Sequence, residues 1–249
     1  RQRLEHMAAA MNPGTQRVIR ELGIARGGRC LEIGAAEGSM VRWLAEQVGP
    51  AGFVLAADLD IRFLADLQLP NVEVRELDVR SAELEARSFD LAYCRTVLMH
   101  LPDPDAALAK MRDALRPGGV LLAQEPDLCV LLAADPDHPE AARFEAVHRA
   151  AYDWLRESRT FDPYLGRTLG PRFEALGLQQ VECRAEATFE QGGSASAETQ
   201  RRTLEALTPM LVKAGAAEAE DLERVQQLFE DPGFGYLSGL RVMTWGRLG

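Results

Sequence analysis

The chain has 249 residues, 47% of them hydrophobic, which is enough for one sizeable core and an appended cap. Its net charge is −10, from 28 Lys and Arg against 38 Asp and Glu, so it lacks the basic surface that draws a protein to nucleic acid or anionic membrane. No apolar run reaches the roughly 18 residues that a membrane-spanning helix needs.

Arg1–Met7 is charged and lacks a signal-peptide core. Cys30, Cys94, Cys129 and Cys183 show no C-x-x-C spacing, and three of them fall in expected strands. Together these features read as buried, reduced thiols in a cytoplasmic enzyme.

Residues 2–22 read as one or two helices broken near Asn12-Pro13-Gly14, with Val18, Ile19 and Leu22 as an apolar face. Such a leading helix can pack on a sheet or cover a ligand, and the sequence leaves both open. Arg29–Ile33 is the first strand. A loop containing Gly34 and Gly38 follows, then a helix from Ser39 to Val48 with Val41, Leu44, Ala45 and Val48 on one face, stopped by Gly49. Strand, glycine turn and helix N-terminus together make a nucleotide-type site at the carboxyl edge of a parallel sheet. The spacing Gly34-x-x-x-Gly38 is not the dinucleotide G-x-G-x-x-G. Glu32 and Glu37 flank the turn and would repel a pyrophosphate. A cationic ligand without phosphate, such as S-adenosylmethionine, suits them better.

Phe53–Ala57 is the second strand, ending at Asp58. Asp58 lies 24 residues after Gly34 (58 − 34), close to the spacing at which an acid meets ribose hydroxyls. Asp60 is its rival and is better read as the cap of a helix over Ile61–Leu67. Asn71–Leu77 holds the third strand, followed by Asp78-Val79, and Phe89–Cys94 is the fourth. The loop Arg95–Pro102 precedes a helix capped by Asp103 with Pro104 in its first turn. Leu108, Met111 and Leu115 form its buried face, and Pro117-Gly118-Gly119 ends it. Val120–Ala123 is the fifth strand, ending near Glu125. Asp127–Asp137 is irregular, and Pro139–Glu157 is a helix with Phe144, Val147, His148, Ala151 and Leu155 on one face. A further helix near Leu165–Leu176, a sixth strand around Val181–Phe189 and a turn at Gln191–Ser194 follow. Helices at about 198–214, kinked at Pro209, and 218–230 precede a last strand in which Leu240, Val242 and Thr244 alternate with Arg241, Met243 and Trp245.

Glu32-Ile33-Gly34-Ala35-Ala36-Glu37-Gly38 resembles E/D-x-G-x-G-x-G, the first motif of class I S-adenosylmethionine-dependent methyltransferases. Ala36 stands where that family usually has its middle glycine. An alanine there is expected to keep ordinary backbone angles and to tighten the fit slightly. Phe89-Asp90-Leu91, His100-Leu101-Pro102 and Leu115 to Gly119 are similar to small-molecule methyltransferases of quinone and natural-product biosynthesis. The resemblance covers about 29–125. It implies an α/β fold: a doubly wound, mostly parallel seven-stranded sheet with an antiparallel strand near the C-terminus. The whole of 1–249 is then one methyltransferase domain, with a core at about 23–125 and 178–249, a helical substrate-cap insertion at about 126–177 and extra helices at about 198–230. The implied donor is S-adenosyl-L-methionine, leaving S-adenosyl-L-homocysteine. The implied donor-binding set is Glu32, Gly34, Ala36, Gly38, Asp58 on the ribose, Leu59, Asp78 on the adenine amino group, Val79 against the ring, and Arg95.

Methyl transfer is an in-line displacement that needs donor and acceptor held in line, and a base where the acceptor is a hydroxyl or acidic carbon. His100, just after the fourth strand, and His148, on the apolar face of the inserted helix, are the candidate catalytic residues. Each has a competing reading as a packing residue. Glu125, Tyr152 and Tyr164 are candidate substrate contacts, with capping or packing as the alternative. His138 and His148 are ten apart (148 − 138), off the i, i+4 spacing, and no metal site is expected. The expected reaction is methylation of a small apolar or aromatic metabolite on O, N or C, without nucleic acid or membrane partners and with homodimerisation left open. A non-methylating rearrangement or cyclisation using the same donor, or an inactive partner subunit, is the alternative. A nucleic-acid target is disfavoured by charge and by Tyr93-Cys94-Arg95-Thr96-Val97, which lacks the proline-containing motifs of base methylation.

Overall fold

The computed structural model describes residues 2–249. Arg1, and the side chains of Gln2, Arg3 and His6, lie outside the described residues. The chain runs α1 (Gln2–Leu22), β1 (Arg29–Ile33), α2 (Ser39–Val48), β2 (Phe53–Asp58), β3 (Val72–Glu76), β4 (Phe89–Arg95), α3 (Pro104–Ala114) and β5 (Leu115–Asp127). It continues through β6 (Leu132–Ala133), α4 (Ala141–Glu157), α5 (Leu169–Ala175), β7 (Gln179–Glu186) and β8 (Phe189–Gln191). The last elements are α6 (Ala195–Ala214), α7 (Ala219–Leu228), β9 (Gly235–Leu237) and β10 (Leu240–Arg247).

Seven strands form one sheet in the order β3-β2-β1-β4-β5-β10-β7. The pairs β3–β2, β2–β1, β1–β4 and β4–β5 are all parallel. Near the start of β5 the C-terminal run comes in antiparallel: Leu248 N donates to Gly119 O at 2.9 Å, and Gly118 N to Leu248 O at 2.8 Å. The doubly wound mixed sheet therefore forms as the sequence implied. The strand order reverses between β1 and β4, so the crevice beyond their carboxyl ends is where such a sheet binds ligands.

The chain divides into two compact units. The first comprises 1–125, 168–184 and 243–249 and holds most of the large sheet. One of its cores joins Val18 and Ile19 of α1, Met40, Val41 and Leu44 of α2, Val54, Leu91, Tyr93, Val120 and Leu122 of the sheet, and Met243 and Trp245 of β10, all at most 9% exposed. The second unit comprises 126–167 and 185–242. It has its own core, built on α4, α6 and α7, and a three-stranded sheet, β6-β9-β8. At its centre Phe144 packs against Phe229, Phe234 and Tyr236 with ring centroids 5.0–5.8 Å apart.

Local expectations fail in several places, among them the join after α3, where Leu115 to Gly119 belong to β5 and not to the end of the helix. α1 runs unbroken through Pro13. Proline removes one backbone donor, but anchors on either side hold the helix: Asn12 Nδ2 donates to Ser39 Oγ at 2.9 Å, and Thr15 Oγ1 to Gln124 Oε1 at 2.5 Å. Asp60 does cap, accepting from Arg62 N, yet it starts only one 3₁₀ turn, Ile61–Phe63, not a helix to Leu67. The expected sixth strand is two strands: β7 ends at Glu186, and Phe189 starts β8 in the small sheet. All four cysteines are free, but only Cys30 and Cys94 are buried; Cys129 is half-buried and Cys183 is exposed.

Candidate active site

The loop after β1 is held by backbone bonds to the end of β2. Gly34 N and Ala35 N donate to Ala57 O at 2.8 and 3.2 Å, and Ala36 N donates to Asp58 Oδ2 at 2.8 Å. These bonds force a left-handed backbone at Gly34 (φ 77°), Ala36 (φ 50°) and Gly38 (φ 78°). Ala36 therefore does not keep ordinary backbone angles: it occupies a region natural for the glycine it replaces, at a steric cost of about 1–2 kcal/mol. A Cβ on Gly34 would collide with Val97 Cγ2, and one on Gly38 would meet Leu64 Cδ2 at 2.8 Å. Gly34 is thus required by space as well as by φ, whereas at Gly38 the Leu64 side chain can yield and φ alone makes the demand.

Beyond the ends of β1 and β4 lies a cavity of about 300 Å³, at the lower end of the range for small-molecule sites. Its walls include Glu32, Gly34, Ala36, Asp58, Leu59, Asp78, Val79, Arg95 and His100. Nine of the sequence-derived residues thus meet at one cavity. Gly38 is not on its wall and acts through the turn that starts α2.

The acids of this cavity are not equivalent. Glu32, at 4% exposure, and Glu37, at 7%, each have one buried carboxylate oxygen with no hydrogen-bond partner among the described residues. Burial pushes the Glu32 carboxyl up to about 8; Arg95 opposes this, while Glu37 and Asp58 add to it by repulsion. Glu37 precedes the N-terminus of α2, where the helix dipole favours negative charge. Asp58 spends both oxygens on backbone, Oδ2 on Ala36 N and Oδ1 on Asp60 N at 3.0 Å, and each oxygen keeps accepting capacity. Asp78 is gripped by Arg80, whose Nη2 lies 2.7 Å from Oδ2, and this holds its carboxyl below the usual range. Arg95 Nη1 donates to Asn12 Oδ1 at 2.9 Å, tying the end of β4 to α1.

Comparison with known proteins fits this site. The methyltransferase domain family model matches residues 3–183. The chain belongs to the class I S-adenosylmethionine-dependent methyltransferases. Among relatives, methyltransferase str2 of Strobilurus tenacellus is 34% identical over 161 residues, covering 63% of this chain and 55% of that protein. A demethylmenaquinone methyltransferase of Staphylococcus aureus (strain JH9) is 27% identical over 183 residues, covering 68% of this chain and 76% of that protein. The chain spans about a third to about half (34% and 55%) of the length of the curated relatives it matches at 37% and 34% identity. The fold is shared with a Bacillus halodurans C-125 putative methyltransferase, at a TM-score of 0.60 and 15% identity over 93% of this chain and 97% of that one.

The methyltransferase donor is S-adenosylmethionine, and the cavity's chemistry suits it. The orphaned oxygens of Glu32 and Glu37 are acceptors of the kind an ammonium group needs, and no cluster of phosphate-binding cations lines the walls. The other candidates lie elsewhere. Glu125, 1% exposed, is not on the cavity wall; its carboxylate is taken up by backbone N–H groups of residues 97–99. It is therefore not placed as the acceptor contact the sequence suggested. His148 is in the core of the second unit, where Nδ1 lies 2.7 Å from Phe144 O and burial lowers its pKa to about 4. Tyr152 is buried in the same core, and Tyr164 OH donates to Asp153 Oδ1 at 2.6 Å.

The sequence left open whether the leading helix covers a ligand; in the structure Leu4, Met7, Ala8 and Met11 of α1 all line the cavity. Their i, i+3, i+4, i+7 spacing marks one helical face and is a signal that could have found them. Thr96, Val97 and Leu101 of the loop after β4 also line the cavity, though no local pattern singles them out.

Proposed function

We propose that this chain methylates a small apolar or aromatic metabolite, and that the cavity beyond β1 and β4 holds the donor. The observation that carries this reading is the pair of orphaned carboxylate oxygens, Glu32 and Glu37, on one cavity wall beside a left-handed loop. When bound, S-adenosylmethionine supplies an electrophilic methyl group on a sulfonium. Glu32 and Glu37 receive its ammonium, Asp58 its ribose hydroxyls, and Asp78 with Val79 its adenine. Leu4, Met7 and Met11 of α1 exclude water from the same space, which strengthens each polar contact.

The apolar wall supports an apolar acceptor, as does similarity to an enzyme named for demethylmenaquinone. His100, exposed and on the cavity wall, is the proposed base for an acceptor hydroxyl; His148, buried with its Nδ1 on a carbonyl, is not. Incubation with methyl-labelled donor and a panel of quinols, phenols and aromatic amines tests the reading. Label should pass to a small phenolic or quinol product. Product formed without label would support a non-methylating reaction instead, and label retained entirely by the donor would contradict transfer.

A further inference from the structure

Outside the polar contacts assigned to the donor, one buried acid is fully engaged with backbone. Glu125 Oε1 accepts from Val97 N at 3.0 Å and from Leu98 N at 2.9 Å, and Oε2 accepts from Met99 N at 3.3 Å. Three successive amides converge on one carboxylate, and no lysine or arginine is among the causes that set its charge state. The loop it holds needs holding. Thr96, a β-branched residue, sits at φ 51°, a left-handed conformation that is an outlier for its type. Thr96 N donates to Gln124 O at 2.9 Å, so consecutive residues of β5 pin both the strained residue and the turn that follows it. The loop in turn builds the cavity: Val97 fills the space that a Cβ on Gly34 would need, and Val97, His100 and Leu101 are on the wall.

We propose that Glu125 is a positioning residue: its carboxylate clasps the loop 96–101 into the shape that closes one wall of the donor cavity, and loss of the clasp loosens donor binding. This rests on the donor reading above. The clasp needs the ionised form, because a protonated carboxyl keeps one good acceptor oxygen and gains an O–H with no acceptor to meet among three N–H groups. Burial pushes Glu125 up to about 7, with the three amides opposing. The clasp is therefore closed above that pH and released below it. Glu125 pushes the Cys94 thiol on β4 further up, His100 ends the clasped turn, and Glu32 on the cavity wall titrates near 8 in the same pH range.

The test is calorimetry of S-adenosylhomocysteine binding to the full chain between pH 5.5 and 8.5, with wild type, Glu125→Gln and His100→Asn. The expected wild-type result is a dissociation constant that rises about tenfold as pH falls through 7. Glu125→Gln binds about tenfold more weakly at pH 8 and loses the inflection near pH 7, keeping only the one near 8 that Glu32 supplies, while His100→Asn keeps both. Wild-type-like affinity and profile in Glu125→Gln would overturn the proposal, as would a His100→Asn variant that abolishes the profile. Should Glu125→Gln not fold, hydrogen exchange on wild type decides: protection of the Val97, Leu98 and Met99 amides, corrected for intrinsic rates, must rise between pH 6 and 8. Flat protection would refute the clasp. If S-adenosylhomocysteine does not bind wild type at any pH, the donor reading fails, and amide protection still tests the clasp by itself.

Discussion

Replacing Ala36 by glycine should stabilise the protein, although it deletes a side chain. Ala36 is fixed at φ 50° by its bond to Asp58 and by its neighbours' bonds to Ala57. It cannot relax without breaking them. A left-handed L-residue costs about 1–2 kcal/mol. Glycine avoids that cost but adds unfolded-state freedom that costs about 0.5–1 kcal/mol. The net gain is roughly 0.5–1 kcal/mol, a rise in Tm of about 1–4 °C for a chain of this size. Ala35 is the control: it is 3% exposed and absent from the left-handed residues. Ala35→Gly loses a buried methyl and gains freedom, and should cost about 1.5 kcal/mol. The assay is scanning calorimetry, read on the transition that S-adenosylhomocysteine shifts, since two compact units can melt separately. A fall in Tm for Ala36→Gly, or equal effects at the two alanines, would refute the assignment of strain to position 36.

Glu32→Gln should move affinity and stability in opposite directions. Donor-product binding weakens about 10–100-fold through loss of one charge-assisted bond. The free protein gains stability at pH 8, because the raised carboxyl binds a proton more tightly folded than unfolded and wild-type stability falls as pH rises from about 4.5 to about 8. Melting curves across that range should show a slope that is shallower in the variant, which keeps only the part Glu125 contributes between about 4.5 and 7. Thr15→Val removes the donor to buried Gln124 Oε1 and should cost about 1–3 kcal/mol by urea titration, the penalty of an unpaired buried acceptor. His100→Asn should lower kcat about 10²-fold for a hydroxyl acceptor while leaving the product's Kd within a few-fold. A matching loss in Kd would make His100 a wall residue and not a base.

Much of the first unit was legible because local rules coincide with the tertiary answer there. α2 occupies Ser39–Val48 as read, since its apolar face and terminal glycine agree, and Asp103 caps α3 by accepting from Ala106 N. The cavity acids were legible because the turn after β1 brings Glu32 and Glu37 together and the parallel pairing of β1 with β2 sets Asp58 beside them. The rest depends on contacts distant in sequence. Pro13 argues for a break, and only the bonds from Asn12 to Ser39 and Thr15 to Gln124 explain why none occurs. The φ of Ala36 is set by Asp58, 22 residues later, so alanine's own preference misleads. Glu125 lies at the right sheet edge for a substrate contact, yet three amides 26–28 residues earlier claim its carboxylate. That 185–242 packs with 126–167 is equally non-local: Phe144 meets Phe229 and Tyr236 across some 85–92 residues (229 − 144; 236 − 144).

The most direct test of the donor site is calorimetric titration of the purified chain with S-adenosylhomocysteine beside a pyridine dinucleotide, repeated on a Glu32→Gln/Glu37→Gln double variant. The expected outcome is saturable heat with the sulfur ligand, none with the dinucleotide, and loss of at least tenfold in affinity when both acids are neutralised. Dinucleotide binding in place of the sulfur ligand, or affinity for the latter indifferent to both substitutions, would contradict the account.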